Sequence, residues 1–417
     1  MLSVSEALDL IERTVNPLGK FLRPLNEALG EVLADAAVAD LDSPPFDKAL
    51  MDGYAVQSND LARLPVELTV IEETLAGVVP RKEVGPGEAT RIMTGAPIPR
   101  GADVVVPVEQ TSLVAGSSTR VEIQPPSLVP GKHILRRGES TKAGTTVIPA
   151  GRLLRSTEIG CLAELGRRLV RVIRRPRIAV LPTGDELVPV GERPGPGQIR
   201  NSNEALLVAQ LQQAGYEAFP LGIARDNRHD LRTQIDRGLE YDVLVISGGV
   251  SAGKVDLVPV VLAEAGVTQV FHKVRLKPGQ PLWFGGIDRA QPEPTAPTNF
   301  GKMGKYCYVF GLPGNPVSSL VCCELFVKTA LRRLGGLSEA RPKPIVARLA
   351  TAYRNVGNRP TYHPARLEWT SDGAQVTPVR WIGSADLSAT VEANAMIAFE
   401  ETDREYTSGE LVAVHPW

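Results

Sequence analysis

The sequence predicts a multidomain protein of the α/β-plus-β class. Helical segments flank a small β-rich unit, a doubly wound α/β domain follows, and a small barrel or sandwich ends the chain. Three observations carry this. A chain of 417 residues exceeds what one hydrophobic core ordinarily organises. Apolar periodicity shifts from helical to alternating near residue 62 and reverts after 150. From 176 to about 332, strand, glycine turn and helix alternate, which implies a mainly parallel sheet covered by helices on both faces.

The elements follow in order. Residues 3–35 read as helices: Val4, Leu8 and Ile11 share a face behind Ser3 and Ser5, and Asn26 precedes a second amphipathic run, EALGEVLA. In KALMDGYAV (48–56), Asp52-Gly53 between apolar residues reads as a tight hairpin turn. VELTVI (66–71), ADVVVPVEQ (102–110), TRVEIQ (119–124) and TTVIP (145–149) alternate as strands. STEIGCLAELG (156–166) returns to helix, starting at Ser156/Thr157 and stopping at Gly166. IAVLP (178–182) is a buried strand, and Asn203 is read as opening the helix EALLVAQLQQAG. YDVLVISGG (241–249) is a strand entering a glycine turn, and VDLVPVVLAEAG a helix. QVFHKVRLKPGQPLWFG supplies strand pairs, with Lys273 and Lys277 on one strand face. YCYVFGLPGNPVSSL is strand, turn and helix, with Asn315 as N-cap and Pro316 at the first helical position. The polar, Pro-rich stretch 286–305 reads as a surface insertion. Beyond about 335 the pattern is β again, with a Ser-Asp-Gly hairpin at 371–373.

Composition narrows the function classes. A net charge of −1 lacks the electrostatic footprint of a nucleic-acid or membrane-surface protein. The N-terminus has neither a basic region nor an apolar core of a signal peptide, and no apolar run approaches the ~20 residues of a membrane span. Four cysteines without a CxxC pair and five scattered histidines give no zinc or disulfide framework, so a cytoplasmic protein is expected.

Ligands of doubly wound sheets bind beyond the carboxyl ends of strands, at the switch in strand order. Three glycine turns fall at such ends: TGDE (183–186), SGGVS (247–251) and GLPGNP (311–316). None is GxxxxGK[ST] or GxGxxG, so neither a P-loop nor a dinucleotide fingerprint is present. Each turn alone is a weak indication; three on one sheet favour a phosphate-bearing ligand. Asp185, Glu186, Asp226 and Asp256 supply hard oxygen ligands that suit Mg²⁺ beside phosphate, although Asp185 and Asp226 could equally cap local turns. No GxSxG or Cys–His arrangement offers a covalent nucleophile.

Six stretches occur together and in order: MDGYAV (51–56), RIMTGAPIP (91–99), PTGDEL (182–187), SGGVSAGKVD (247–256), KPGQP (277–281) and LPGNPVS (312–318). In combination the sequence resembles the MoeA-type molybdopterin molybdenumtransferase family, which includes the gephyrin E domain. The resemblance runs over nearly the whole chain. It implies a helical domain (1–46 with 140–175) carrying an inserted β-rich domain (47–139), an α/β molybdopterin-binding domain (176–332) and a C-terminal β-barrel (333–417). It implies a reaction in which molybdate and adenylylated molybdopterin are the substrates, AMP is released and Mg²⁺ assists. It implies a homodimer with an inter-subunit active site, served by a molybdopterin adenylyltransferase and by molybdoenzyme maturation proteins.

The same resemblance assigns residues. Catalytic roles fall to Asp52, Glu186, Asp226, Asp256, Lys273 and Lys277, and metal binding to Glu186, Asp226 and Asp256. Substrate binding falls to Thr94, Arg136, Arg137, Ser247, Gly248, Gly249, Pro313, Gly314, Asn315, Arg366 and Ser388. The chain departs from the family pattern at Ser140, where RRGED is common, at Lys254 and Val255 before Asp256, and at Gln280 in place of the second lysine of KPGKP. Two other readings compete: a molybdopterin adenylyltransferase, whose GGTG-type turn is replaced here by SGGVS, and a non-catalytic molybdopterin-binding scaffold. The intact acids and lysines favour the enzyme.

Overall fold

Ser3 opens the first helix, Val4–Thr14, through a capping box. Its hydroxyl accepts from the Glu6 N–H at 3.2 Å, and the Glu6 carboxylate accepts the Ser3 N–H at 2.7 Å. Leu8 and Ile11 are buried as expected, together with Ala7. The second helix expected before residue 35 does not form. Leu25–Glu27 is a single 3₁₀ turn, Gly30 takes a left-handed φ of 74°, and Val32–Leu33 joins a sheet. The partner strand Leu169–Ile173 also pairs with Lys20–Pro24, so long-range pairing overrides local helical preference. Ser156–Glu164 is helical as read.

The computed structural model describes residues 1–124, 128–250, 256–289, 306–400 and 403–417. Lys254 and Val255, and residues 290–305 of the predicted 286–305 insertion, lie outside these, whereas its first residues, Gly286, Ile287 and Asp288, belong to the strand Trp283–Asp288 and pair with Tyr306–Tyr308 across the sheet. The chain divides into two compact units: Met1–Asp35 with Gly151–Ile159 and Arg168–Trp417, and Ala36–Ala150 with Gly160–Arg167. Among the described residues no helix is long and apolar enough to cross a membrane.

The first unit is organised by a six-stranded sheet. Its spatial order is Glu217–Pro220, Arg177–Pro182, Val243–Ser247, Tyr306–Leu312, Trp283–Asp288, Thr268–His272. The first four strands pair in parallel, and Trp283–Asp288 alone runs the other way, pairing antiparallel with both Tyr306–Leu312 and Thr268–His272. Alternation along the central strands fills both faces. Ile178, Val180, Val243 and Val245 join one core, while Ala179, Leu181, Leu244 and Ile246 join the other. Asn201, rather than Asn203, caps the helix Ser202–Gln213 by accepting the Glu204 N–H at 3.3 Å. Asn315 and Pro316 do stand at the start of the helix Pro316–Cys322, but the Asn315 side chain makes no cap bond.

Ile345–Leu349, Gly373–Pro378, Thr361–Thr370, Ala395–Phe399 and Leu411–Pro416 close into a five-stranded barrel. The Ser-Asp-Gly hairpin is present, with Thr370 paired to Gly373 at φ 107°.

The second unit centres on a six-stranded sheet that includes Gly53–Val56, Val66–Thr74, Glu88–Ile92, Val104–Pro107 and Arg120–Ile123. Asp52-Gly53 is not a simple hairpin. Lys48–Ala49 pairs with Ile134–Leu135, whereas Gly53–Val56 pairs with Glu88–Ile92 and Val104–Pro107. Gly53 is required for close approach instead: a Cβ there would lie 1.9 Å from the Val106 carbonyl oxygen.

Candidate active site

The three glycine turns meet at the carboxyl edge of the sheet. Pro182 is in register with Ser247, and Ser247 with Leu312. After Pro182 the chain crosses first to Glu217–Pro220 on one side and then to Val243–Ser247 on the other, so the strand order reverses at this point. Thr183 N–H donates to the Ser247 carbonyl at 2.9 Å, and Gly248 N–H to the Leu312 carbonyl at 3.1 Å. Gly248 and Gly249 have φ of 103° and 64°, and a Cβ on Gly248 would stand 2.5 Å from the Thr183 carbonyl oxygen. A side chain at Gly248 would therefore be both strained and without room. Gly314 lies against Gly248, with its would-be Cβ 3.7 Å from the Gly248 Cα. The expected Ser247, Gly248, Gly249, Pro313, Gly314 and Asn315 are thus gathered, although Ser247 is only 2% exposed.

Acidic residues rim the same edge. Asp185 N–H donates to Asp226 Oδ2 at 3.3 Å, and Asp226 N–H returns a bond to Asp185 Oδ1 at 3.1 Å. The Arg225 guanidinium braces the turn by donating to the Leu187 carbonyl at 3.0 Å. Burial pushes the Asp226 carboxyl above its ordinary value; the bond from Asp185 opposes this, and the negative charges of Asp185, Glu186 and Asp256 add to it. Glu186, Asp226 and Asp256 therefore share one electrostatic neighbourhood. Among the described residues no three His, Cys, Asp or Glu side chains converge into a ready-made metal site. Hard carboxylate donors with surplus negative charge nonetheless have the chemistry that suits Mg²⁺.

The two lysines do not share a strand face. The strand Thr268–His272 ends before them, and Lys273 adopts a left-handed φ of 72°. Lys273 N–H donates to the Leu282 carbonyl at 2.8 Å and Val274 N–H to the Gln280 carbonyl at 3.0 Å, folding 273–282 into a tight loop. This local turn removes the alternation on which the strand-face reading rested.

Lys277 instead lines a cavity of about 860 Å³ between this loop and the barrel, together with Gln280, Asn315, Arg359, Arg380 and Ser384. The Arg359 guanidinium reaches from the barrel side to Gln280 Oε1, and Asn315 Nδ2 donates to Ser384 Oγ at 2.8 Å. His363 and Trp381 also line the cavity. His363 Nε2 lies 3.0 Å from the Val379 carbonyl, which can only accept, so Nε2 carries the proton and Nδ1 accepts from Tyr353 Oη at 3.2 Å. Burial pulls this imidazole down to about 4, the Val379 bond opposes the shift, and the charge of Lys277 reinforces it.

Neither Arg366 nor Ser388 lines the cavity. Arg366 is exposed and paired with Glu368 at 2.5 Å, and Ser388 donates to Asp386 at 2.8 Å. Arg359 and Ser384, absent from the expected set, take those places; the nearby NRP (358–360) and GS (383–384) pairs are the only sequence traces of them.

In the second unit, Asp52 Oδ1 accepts both the N–H and the hydroxyl of Thr94, each at 2.7 Å. Those bonds hold the exposed carboxyl below its usual range. Arg136 pairs with Asp47 and Arg137 with Asp42, each at 2.6 Å.

Comparison with known proteins matches this architecture segment by segment. The MoeA N-terminal region (domain I and II) matches residues 2–166, the probable molybdopterin binding domain 179–333, and the MoeA C-terminal region (domain IV) 346–417. A molybdopterin molybdenumtransferase of Staphylococcus aureus (strain COL) is 33% identical over 99% of this chain and 94% of its own. The chain belongs to the MoeA family. A Staphylococcus epidermidis relative of the same name is also 33% identical, over 99% of this chain and 95% of its own. The solved molybdopterin biosynthesis MoeA protein of Pyrococcus horikoshii OT3 superposes with a TM-score of 0.80 at 28% identity over the full length of both chains. Within this MoeA-family chain, Gln280 faces the cavity and engages Arg359, while Ser140 N–H donates to the Ser43 carbonyl at 3.0 Å.

Proposed function

We propose that this chain inserts molybdenum from molybdate into adenylylated molybdopterin, releasing AMP and leaving molybdenum on the dithiolene sulfurs. Membership of the MoeA family and relatives named molybdopterin molybdenumtransferase support a transferase of molybdenum cofactor biosynthesis. The observation that carries the reading is a single unit holding two opposite surfaces. A glycine-lined, acid-rimmed crevice lies at the strand switch point, and a cavity bearing Lys277, Arg359 and Arg380 lies beside the barrel.

The residues divide the work by charge. Molybdate is a dianion, so Lys277, Arg359 and Arg380 draw it in, and Asn315 and Ser384 offer neutral polar contacts. Glycine backbone at 248–249 and 313–314 lets the phosphate-bearing ligand approach the sheet edge closely. Glu186, Asp226 and Asp256 would hold Mg²⁺, which when bound supplies positive charge to the phosphoanhydride that is cleaved. Lys273 does not line this cavity, so a catalytic role for it would be exercised outside it.

The proposed assembly is a homodimer in which Asp52 and Thr94 of one copy, with Arg136 and Arg137, face the α/β cleft of the other. Domains are assigned at 1–46 with 140–175, 47–139, 176–332 and 333–417. A molybdopterin adenylyltransferase would supply the substrate and molybdoenzyme maturation proteins would take the product. Four cysteines without a disulfide among the described residues suit a reducing, cytoplasmic setting.

Purified protein given adenylylated molybdopterin, Mg²⁺ and molybdate should release AMP and form the metal-containing cofactor. ATP-dependent adenylylation of free molybdopterin would point to the adenylyltransferase instead, and binding without turnover to a scaffold. Asp52→Ala should cut metal insertion by about a hundredfold while folding stays nearly unchanged. A large stability loss with normal specific activity would make Asp52 a structural turn residue.

A further inference from the structure

Asn203 is the second residue of the Ser202–Gln213 helix and does not cap it. Its amide instead donates twice, to Ser247 Oγ at 2.7 Å and to the Gly314 carbonyl at 2.7 Å. These acceptors belong to turns at the ends of two adjacent parallel strands.

The proton directions follow from chemistry. Gly314 offers a carbonyl, which only accepts, so the amide must present Nδ2 to it; the flipped amide would set two oxygens face to face. Ser319 Oγ lies 2.6 Å from the Pro313 carbonyl and gives its proton there. Ser247 Oγ is 3.3 Å from Ser319 Oγ, and with the Ser319 proton committed, Ser247 is the donor of that pair. The bonds therefore run from Asn203 to Ser247, to Ser319 and to Pro313, and from Asn203 directly to Gly314. The peptide bond between Pro313 and Gly314 closes the circuit.

We infer that Asn203, Ser247 and Ser319 form a closed hydrogen-bonded ring that sets the relative height of the Gly248–Gly249 and Pro313–Asn315 turns, making Asn203 a positioning residue for the phosphate-bearing substrate. The identity of that substrate rests on the reading under Proposed function; the ring itself does not. Two further observations fit. Ser247 and Ser319 are 2% and 0% exposed, so their hydroxyls serve the protein interior and not a ligand. Asn203 Oδ1 is left buried without a partner among the described residues, a loss that a helix position of no further consequence would have no reason to carry. The gap being set is narrow: a Cβ on Gly314 would stand 3.7 Å from the Gly248 Cα, and one on Gly248 would stand 2.5 Å from the Thr183 carbonyl oxygen. A displacement well under an ångström changes what can enter.

The test uses the full-length chain with Asn203→Ala, Ser319→Ala and the double variant. The readouts are AMP release from adenylylated molybdopterin, thermal unfolding and amide exchange at Gly248, whose N–H bonds Leu312. Asn203→Ala should raise KM for the adenylylated substrate by about fivefold to tenfold with kcat little changed, and should speed Gly248 exchange. Asn203→Asp, of the same shape but without the donors, should behave like Ala or worse. The double variant should be no worse than the more damaging single one, because either change opens the same ring. Additive effects on stability and exchange, or Gly248 exchange unaltered in Asn203→Ala, would overturn the ring. If the wild type releases no AMP, the functional reading falls, while exchange and the double-variant stability still decide the ring.

Discussion

Asp226 and His363 belong to the same unit and stand in mirrored electrical settings. Asp226 is partly buried among Asp185, Glu186 and Asp256, and its carboxyl is pushed up. His363 is buried beside a cavity that also holds Lys277, and its imidazole is pulled down to about 4. In both, burial is the larger cause and neighbouring like charge adds to it. Each group is thereby biased toward its neutral form, and the residues around them carry opposite charge: carboxylates Asp185, Glu186 and Asp256 near Asp226, and Lys277, Arg359 and Arg380 lining the cavity beside His363. A cation relieves the first and an oxyanion the second. This complementarity is what a reaction joining a dianion to a phosphorylated acceptor needs.

The comparison breaks most severely if the cationic side is emptied. Lys277→Met should lower kcat/KM for molybdate by about a hundredfold or more. Binding of AMP alone should be unaffected. Loss of AMP binding together with molybdate use would mean that the two surfaces are not separate.

Neutralising the acidic side comes next. A raised carboxyl takes up a proton as pH falls toward its raised value, so Mg²⁺ must then compete with that proton. The Mg²⁺ concentration for half-maximal activity should rise as pH drops in the wild type, and should be higher but flatter with pH in Asp226→Asn. The stability consequence has the opposite sense. A group whose folded value is raised gives stability below its unfolded value and loses it as pH rises through the folded one. Metal-free Asp226→Asn should therefore unfold at a higher temperature than wild type at pH 7. A lower midpoint would show that Asp226 is held by favourable bonds and not by repulsion.

His363 supplies the smaller, acid-side effect. Its folded value, about 4, lies below the ordinary 6.5. The unfolded chain therefore takes up the proton first, and stability present above pH 6.5 is lost as pH falls toward 4. The full loss is about 3 kcal/mol at most, from roughly 1.4 kcal/mol per unit. His363→Gln should be less stable at pH 7, where the Tyr353 and Val379 bonds are disturbed, yet should lose less on acidification. An equal loss of unfolding free energy between pH 7 and pH 5 in wild type and His363→Gln, read from urea titrations, would assign the acid sensitivity elsewhere.

What was legible in the sequence divides along physical lines. The glycine turns were readable because a left-handed backbone or a close approach is a property of the residue itself, as at Gly248. Alternation located the sheet and barrel strands for the same local reason. Val32–Leu33 was misread because its partner, Leu169–Ile173, lies far along the chain. Asn201 and Asn203 are equally good caps by type, and only the position of Ser247 and Gly314 assigns each its task. The lysine pair misled because nothing in HKVRLKPG announces a positive φ at Lys273. Arg359 and Ser384 escaped because their cavity exists only where the barrel closes against the 277–281 loop.

The mildest perturbation of the cationic side is at Gln280, which offers Arg359 an acceptor and carries no charge of its own. Arg359 also donates to the Leu276 carbonyl at 3.4 Å, a weaker bond that would remain in Gln280→Ala. The freed guanidinium would stay near the cavity but sample more positions, so molybdate KM should rise by about threefold to fivefold with kcat unchanged, as expected for one hydrogen bond on a partly exposed group. Gln280→Lys should be worse than Ala, because a second cation beside Arg359 replaces an acceptor with a repulsive neighbour. If Lys at 280 instead lowered KM, the cavity would be short of positive charge, and the shift at His363 would owe to burial alone.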